Sequence, residues 1–355
     1  KCRDAVSAEG FAGYSLFQNL IVGGQTKEGL DATNDLSFMC ITATEHVYLP
    51  QPSFSIRVWN GSPHEFLIRA AELTRTGIGF PAYYNDEVII PQLISRGLTV
   101  EDARDYNIIG CVEPQKAAKT DGWHDAAFFN MCRPIELVFS NGVDKGVQIG
   151  PKTGELSCFK TFDLFFEAYR TQMEYFIKLL VNSINAIDQA HAERVPLPFE
   201  SCMVEDCIGR GKPVQQGGAI YNFSGPQGFG IANMTDGLWA IKTLVYEENK
   251  YTLCDFKDAM ENNWGEDMDD HYAEKLTKKV VSEIYKNGKT VSEQDIITIY
   301  QSVRTNKCSD EQKKKYRKLR EDIEALPKYG NDIEEIDNFA REVTYVYSRP
   351  MDKYT

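Results

Sequence analysis

Apolar residues recur at helical spacing most clearly over 162–193, where Phe165, Tyr169, Met173, Phe176, Leu180, Ile184 and Ile187 share a face. Val195-Pro196-Leu197-Pro198 ends that helix, because proline lacks the N–H that a further turn needs. Upstream, the run from Leu36 to Tyr48 predicts a helix, and Ile56-Arg57-Val58-Trp59 a short strand closed by Asn60-Gly61. Pro63-His64-Glu65 opens a helix to about Arg75, and Ile78 to Tyr84 reads as another strand. Asn85-Asp86-Glu87 starts a helix ending near Gly97, and Thr99-Val100-Glu101-Asp102 fits a capping box before a shorter one. The apolar stretch from Tyr106 to Gly110 then enters a segment at Cys111. A glycine-rich stretch runs from Gly209 to Gly230, and a helix is predicted from about Thr235 to Glu248. Over 250–325 charge is dense while apolar residues keep helical spacing. These are surface helices, and Lys313-Lys314-Lys315 is a solvated face. Residues 1–35 carry Gly10, Gly13, Gly23, Gly24 and Gly29, with a tight turn at Gly23-Gly24. Strands mixed with longer helices favour an α/β fold.

Composition narrows the function classes. The chain has 355 residues and a formal net charge of −13, a balance that argues against phosphate-backbone binding. Its nine cysteines are odd in number and spread through a large chain, which reads as reduced thiols in a cytoplasm. Cys202 and Cys207 form the one close pair, without the partners a zinc site needs. No apolar run reaches membrane-spanning length.

The chemistry concentrates at Gly110-Cys111-Val112-Glu113-Pro114-Gln115. A thiol and a carboxylate two residues apart can face one side of an extended turn. Glycine permits close backbone approach, and proline stiffens the exit. Together they could hold sulfur and carboxylate against one small substrate. The residues alone leave other readings open. One is a buried structural cysteine beside a surface glutamate. Another is a nucleophilic cysteine with a histidine base, His124 being the nearest at 13 residues on. A phosphatase-type loop would need an arginine soon after the cysteine, and none precedes Arg133. Asp125 reads equally as a helix cap. His124 reads as a structural histidine, and Trp123, Phe128 and Phe129 as packing.

The cysteine segment resembles the cysteine loop of glycyl radical enzymes, the pyruvate formate-lyase-like family. Ordered blocks elsewhere are similar too. They include Asp31-Ala32-Thr33-Asn34-Asp35 with Met39, Pro50-Gln51-Pro52-Ser53, and Gly77-Ile78-Gly79-Phe80-Pro81-Ala82 before Asn85-Asp86-Glu87. Lys119 to Asp125, Ala190 to Arg194 with Pro196 to Phe199, Tyr221 to Gly228, and Lys328 to Asp332 continue the series. The likeness covers nearly the whole chain apart from about 265–325, which looks like a helical insertion. It implies that 1–355 is part of a single barrel domain, a portion of a ten-stranded α/β barrel with surrounding helices, with Cys111 on a loop at its centre.

The resemblance further implies radical chemistry. In the family a glycyl radical, installed by an iron–sulfur activating enzyme that uses S-adenosylmethionine, oxidises the cysteine to a thiyl radical. The thiyl takes a hydrogen atom from a small substrate. Glu113 matches the general base of the dehydratase branch, and Asp125, 14 residues after Cys111, matches a carboxylate that binds substrate hydroxyl. The branch indicated is the glycerol and propanediol dehydratases, which eliminate water from a small diol. Sibling lyases acting on trans-4-hydroxyproline, choline or isethionate share the Cys-x-Glu loop. A pyruvate formate-lyase is disfavoured, since Val112 follows Cys111 where that enzyme has adjacent cysteines. Expected partners are the activating enzyme, a second copy in a homodimer and a segment carrying the glycyl loop, with neither nucleic acid nor membrane. The family's Arg-Val-x-Gly-Tyr motif is not found, and Arg57-Val58-Trp59-Asn60-Gly61 is only a superficial match. The expectation is a fragment, a split enzyme or a non-catalytic subunit, inactive by itself.

Overall fold

The computed structural model describes residues 19–49, 52–287 and 290–354. The glycine-rich opening through Gly13, Cys2 and the Pro50-Gln51 part of one motif lie outside the described residues. The chain forms two compact units, one of residues up to Phe128 with Ile184–Gln227, the other of Phe129–Ser183 with Gly228 onward.

The first unit opens with a β-α-β-α-β run: β1 (Asn19–Gly23), α1 (Asp35–Val47), β2 (Ser53–Val58), α2 (His64–Arg75) and β3 (Ala82–Asn85). The three strands pair in parallel in the order β1-β2-β3. Central β2 is buried from Ser53 to Arg57, as a parallel strand covered on both faces must be. Ile41 of α1, Phe54 and Ile56 of β2, and Phe66, Ala70 and Leu73 of α2 form its core. Asn34 caps α1 by accepting from the Leu36 N–H, and Ser37 returns a bond to the Asn34 N–H. The strand expected from Ile78 begins only at Ala82. Gly77 and Gly79 both adopt positive φ, 82° and 84°, which a strand does not accommodate.

Helix α3 (Asp86–Ser95) starts on an Asn85 cap and α4 (Val100–Arg104) on a Thr99 cap. Only half of the expected capping box forms at Thr99. Asp102 turns its carboxylate to Lys119, at 2.9 Å, and to the Tyr221 hydroxyl, at 2.7 Å. Strands β4 (Asn107–Ile109), β5 (Glu113–Gln115) and β6 (Thr120–Asn130) follow.

Helix α5 (Arg133–Phe139) and the small hairpin β7 (Val143–Asp144) and β8 (Val147–Gln148) belong to the second unit. Helix α6 spans Phe162–Arg194, as its periodicity predicts. Phe165, Tyr169, Met173 and Ile177 are completely buried and anchor a core with Leu238, Phe256, Tyr316, Leu319 and Val343. Short helices α7 (Pro198–Met203) and α8 (Cys207–Arg210) lead to β9 (Tyr221–Phe229), which pairs with β6. This strand was hidden by its glycines. A Cβ on Gly225 would sit 2.7 Å from the His124 carbonyl oxygen, so only glycine lets the chains approach.

The next helix, α9 (Ile231–Ile241), begins before the expected Thr235 and passes into a π-helix at Lys242–Glu247. The charged region folds as α10 (Leu253–Glu261), α11 (Asp270–Lys286), α12 (Glu293–Arg304) and α13 (Asp310–Ala325), and α14 (Glu334–Tyr354) closes the second unit. On α13 Tyr316 and Leu319 turn inward, while Lys314 and Lys315 stay exposed and Lys315 pairs with Asp255. No helix is long and apolar enough to cross a membrane among the described residues.

One buried ion pair fastens the first unit. Arg57 donates from Nε to Asp86 Oδ1 at 2.9 Å and from Nη2 to Oδ2 at 2.8 Å. The guanidinium also donates to the carbonyls of Arg104 and Tyr106, and the Tyr106 hydroxyl donates to Asp86 Oδ1. Asp86 accepts a fourth bond from the Gln25 N–H. Replacing Asp86 with alanine strands a buried guanidinium. Denaturant unfolding should show a loss of about 3–5 kcal/mol. Glu72→Ala, which removes one exposed partner of Arg69, should cost less than about 1 kcal/mol.

Candidate active site

Strands β4 and β5 form an antiparallel hairpin with Ile109 opposite Glu113 and Asn107 opposite Gln115. That register leaves Gly110, Cys111 and Val112 as the turn. Gly110 has φ 60°, the left-handed conformation a tight turn requires. Two neighbours hold the turn by its carbonyls. Asn19 donates to the Gly110 oxygen at 3.2 Å, and the Tyr84 hydroxyl donates to the Cys111 oxygen at 2.5 Å.

Glu113 turns back into its own loop. Its Oε2 accepts from the N–H groups of Cys111 and Val112, each at 2.9 Å. Its Oε1 accepts from Gln227 Nε2, which donates as well to Asp125 Oδ1 at 3.2 Å. The site therefore gathers Cys111 from the hairpin turn, Glu113 from β5, Asp125 from β6 and Gln227 from β9.

Burial reverses the structural reading of the loop. Cys111 is exposed in this chain and Glu113 is 8% exposed. An exposed cysteine over a buried, multiply bonded carboxylate is not a core thiol beside a surface charge. The described residues leave Cys111 open, where a loop at the centre of a barrel is expected to be enclosed. Asp125 lies within β6, so it caps no helix. His124 is buried, its ring 6.0 Å from Phe223, but its Nε2 has no hydrogen-bond partner among the described residues. Trp123 packs edge-on to His191 at 5.2 Å.

Electrostatics favour the neutral forms of Cys111, Tyr84 and His124. Desolvation pushes the Cys111 thiol up, and the Glu113 and Asp125 carboxylates push it further. Burial, with the charges of Glu113 and Cys111, pushes Tyr84 up to about 12. Burial lowers the His124 pKa, which Glu113 partly opposes. A thiol that keeps its proton has an S–H hydrogen to exchange, the property a hydrogen-atom relay needs.

Sequence reasoning did not single out Gln227, Tyr84 or Asn19. Gln227 stood within the Tyr221 to Gly228 block, where an amide among glycines was the available signal. Nothing in the spacing pointed to Tyr84 or Asn19.

Comparison with known proteins agrees with the resemblance. The model of the family described as pyruvate formate lyase-like matches residues 1–355. The (2S)-3-sulfopropanediol dehydratase of Klebsiella oxytoca is 38% identical over 260 residues, 73% of this chain and 31% of the relative. The trans-4-hydroxy-L-proline dehydratase of Clostridioides difficile is 35% identical over 253 residues, 71% of this chain and 32% of the relative. The chain thus spans about a third of the length of these curated relatives. A structure describing 1,2-propanediol dehydration in Roseburia inulinivorans matches with a TM-score of 0.80 and 60% identity, over 100% of this chain and 42% of that one. The glycerol-bound B12-independent glycerol dehydratase from Clostridium butyricum matches with a TM-score of 0.73 and 50% identity, over 99% and 38%.

The chain belongs to the pyruvate formate lyase-like family, and its α/β fold is a portion of the barrel of those enzymes.

Two titrations check the electrostatics. Alkylation of Cys111 followed against pH should have its midpoint above that of an unperturbed thiol, and a lower midpoint would contradict the geometry. A raised phenol value means that the fold favours the neutral form. The contribution of Tyr84 to stability is complete below its ordinary value of about 10. It is lost as pH rises through about 12, so ultraviolet titration should show this tyrosine ionising late.

Proposed function

We propose that this chain carries the hydrogen-atom relay and the acid–base groups of a radical lyase that eliminates water from a small diol, glycerol or propane-1,2-diol. The observation that carries the reading is the meeting of a protonated thiol with two carboxylates at one turn. The substrate class is supported by identities of 60% and 50% to structures whose descriptions name 1,2-propanediol dehydration and glycerol dehydratase. Against a hydroxyproline dehydratase structure the identity is 29%.

The oxidising equivalent comes from a glycyl radical, supplied by a segment carrying the glycyl loop and installed by an iron–sulfur activating enzyme. Cys111 fits as its acceptor, because it is exposed at the tip of a stiff turn and keeps its hydrogen. As a thiyl, its sulfur takes a hydrogen atom from a carbinol carbon, so the S–H bond forms as the C–H bond breaks. The carbon radical then carries a hydroxyl of raised acidity. Glu113 accepts that proton at Oε1, the oxygen not tied to the loop. Electron density moves toward the neighbouring carbon, whose hydroxyl leaves with the proton that Glu113 gives back, so water forms and the carboxylate is restored. Asp125 holds the diol by hydrogen bonding to a hydroxyl. The product radical takes its hydrogen back from Cys111, which restores the thiyl. The net change is diol to aldehyde plus water.

The test is turnover by the activated enzyme that contains this chain together with the glycyl loop. Cys111→Ala should abolish diol consumption while the glycyl radical signal persists in electron paramagnetic resonance. Glu113→Gln should lower kcat by about 10²–10⁴. Asp125→Asn should act chiefly on KM. Turnover in the Cys111→Ala enzyme would refute the assignment.

A further inference from the structure

Glu113 and Asp125 come from different strands, and like charges brought together on one substrate repel. One side chain stands between them. Gln227 Nε2 donates to Glu113 Oε1 and, at 3.2 Å, to Asp125 Oδ1. An amide nitrogen has two hydrogens, so both bonds can form at once. The alternative amide orientation would set a carbonyl oxygen against two carboxylates.

We infer that Gln227 is a positioning residue that aims Glu113 Oε1 and holds Asp125 in register with it around Cys111. The inference rests on the reading of Glu113 as base and Asp125 as substrate ligand. Glu113 Oε2 is committed to two loop N–H groups, so Oε1 is the oxygen left to face a substrate. Without a second tie the carboxyl group could swing about that anchor. Gln227 supplies the tie from β9, the strand paired with β6, which carries Asp125. The amide thus couples the hairpin turn to a strand rather than to another loop.

The experiment measures kcat and KM of the activated enzyme for Gln227→Glu, which keeps the size, and Gln227→Ala. Both should lower kcat by about tenfold to a hundredfold, the cost of a misplaced reacting group. Both should raise KM as well, because Asp125 loses the same tie. Glycyl radical content and circular dichroism should match the wild type. Wild-type kcat and KM in both variants would overturn the inference. So would lost activity accompanied by lost radical or lost fold, since either marks a merely structural role. The controls separate the two failures. If wild type consumes no diol, or Cys111→Ala still does, the functional reading falls and takes this inference with it. If the controls behave and the Gln227 variants match wild type, the positioning role alone falls.

Discussion

The first unit is organised around one salt bridge held almost entirely away from solvent. Arg57 and Asp86 are 29 residues apart in sequence, and their side chains are 7% and 0% exposed. Such a pair persists only when its remaining donors and acceptors are met, because desolvation of each charge costs several kcal/mol. Here the remaining groups are met by the backbone at Gln25, Arg104 and Tyr106 and by the Tyr106 hydroxyl. Those partners mark the segment after β1, the end of α4 and the residue before β4. The ion pair therefore constrains where β4 begins, and β4 is the strand that delivers the cysteine turn. A rule about buried charge becomes a rule about where a thiol can stand.

The same logic recurs on a smaller scale at the turn. Two adjacent N–H groups at the tip of a hairpin have no strand partner, and Glu113 Oε2 meets both. Dividing the carboxylate this way has a consequence for the base role proposed for Glu113. A proton arriving at Oε1 leaves Oε2 as a carbonyl-like acceptor, still able to hold the two N–H groups. The turn can then keep its shape in both protonation states, which suits the hydrogen-atom relay proposed for Cys111.

Local features were legible along the chain, and long-range ones were not. Helix α6 and helices α1 to α3 follow from periodicity and capping residues, because those forces act within a few positions. The cysteine turn follows from Gly110 and Pro114 for the same reason. The strand β9 was missed because its glycines read as turn-formers, while the strand needs Gly225 for close approach to His124. The Arg57–Asp86 pair and the Gln227 bridge join residues 29 and more than 100 positions apart. No spacing rule connects such residues, and only the folded chain shows which amide faces which carboxylate. Family likeness supplied the three chemical positions, Cys111, Glu113 and Asp125, but not the group that links two of them.

The electrostatics of the turn also bear on which chemistry a cysteine there can perform. A nucleophilic cysteine works as a thiolate, so its surroundings are positive or rich in N–H donors aimed at sulfur. At Cys111 the two N–H groups are spent on Glu113, and the nearby charges that act on the thiol are both carboxylates. Each raises the energy of a thiolate. A hydrogen-atom transfer moves no net charge onto sulfur, so the same carboxylates impose no comparable penalty on a thiyl. His124, the remaining candidate for an activating base, is buried with its pKa lowered, which disfavours the imidazolium that a thiolate would pair with. An environment hostile to thiolate and tolerant of neutral sulfur disfavours nucleophilic catalysis at Cys111 and is compatible with the radical reading proposed above.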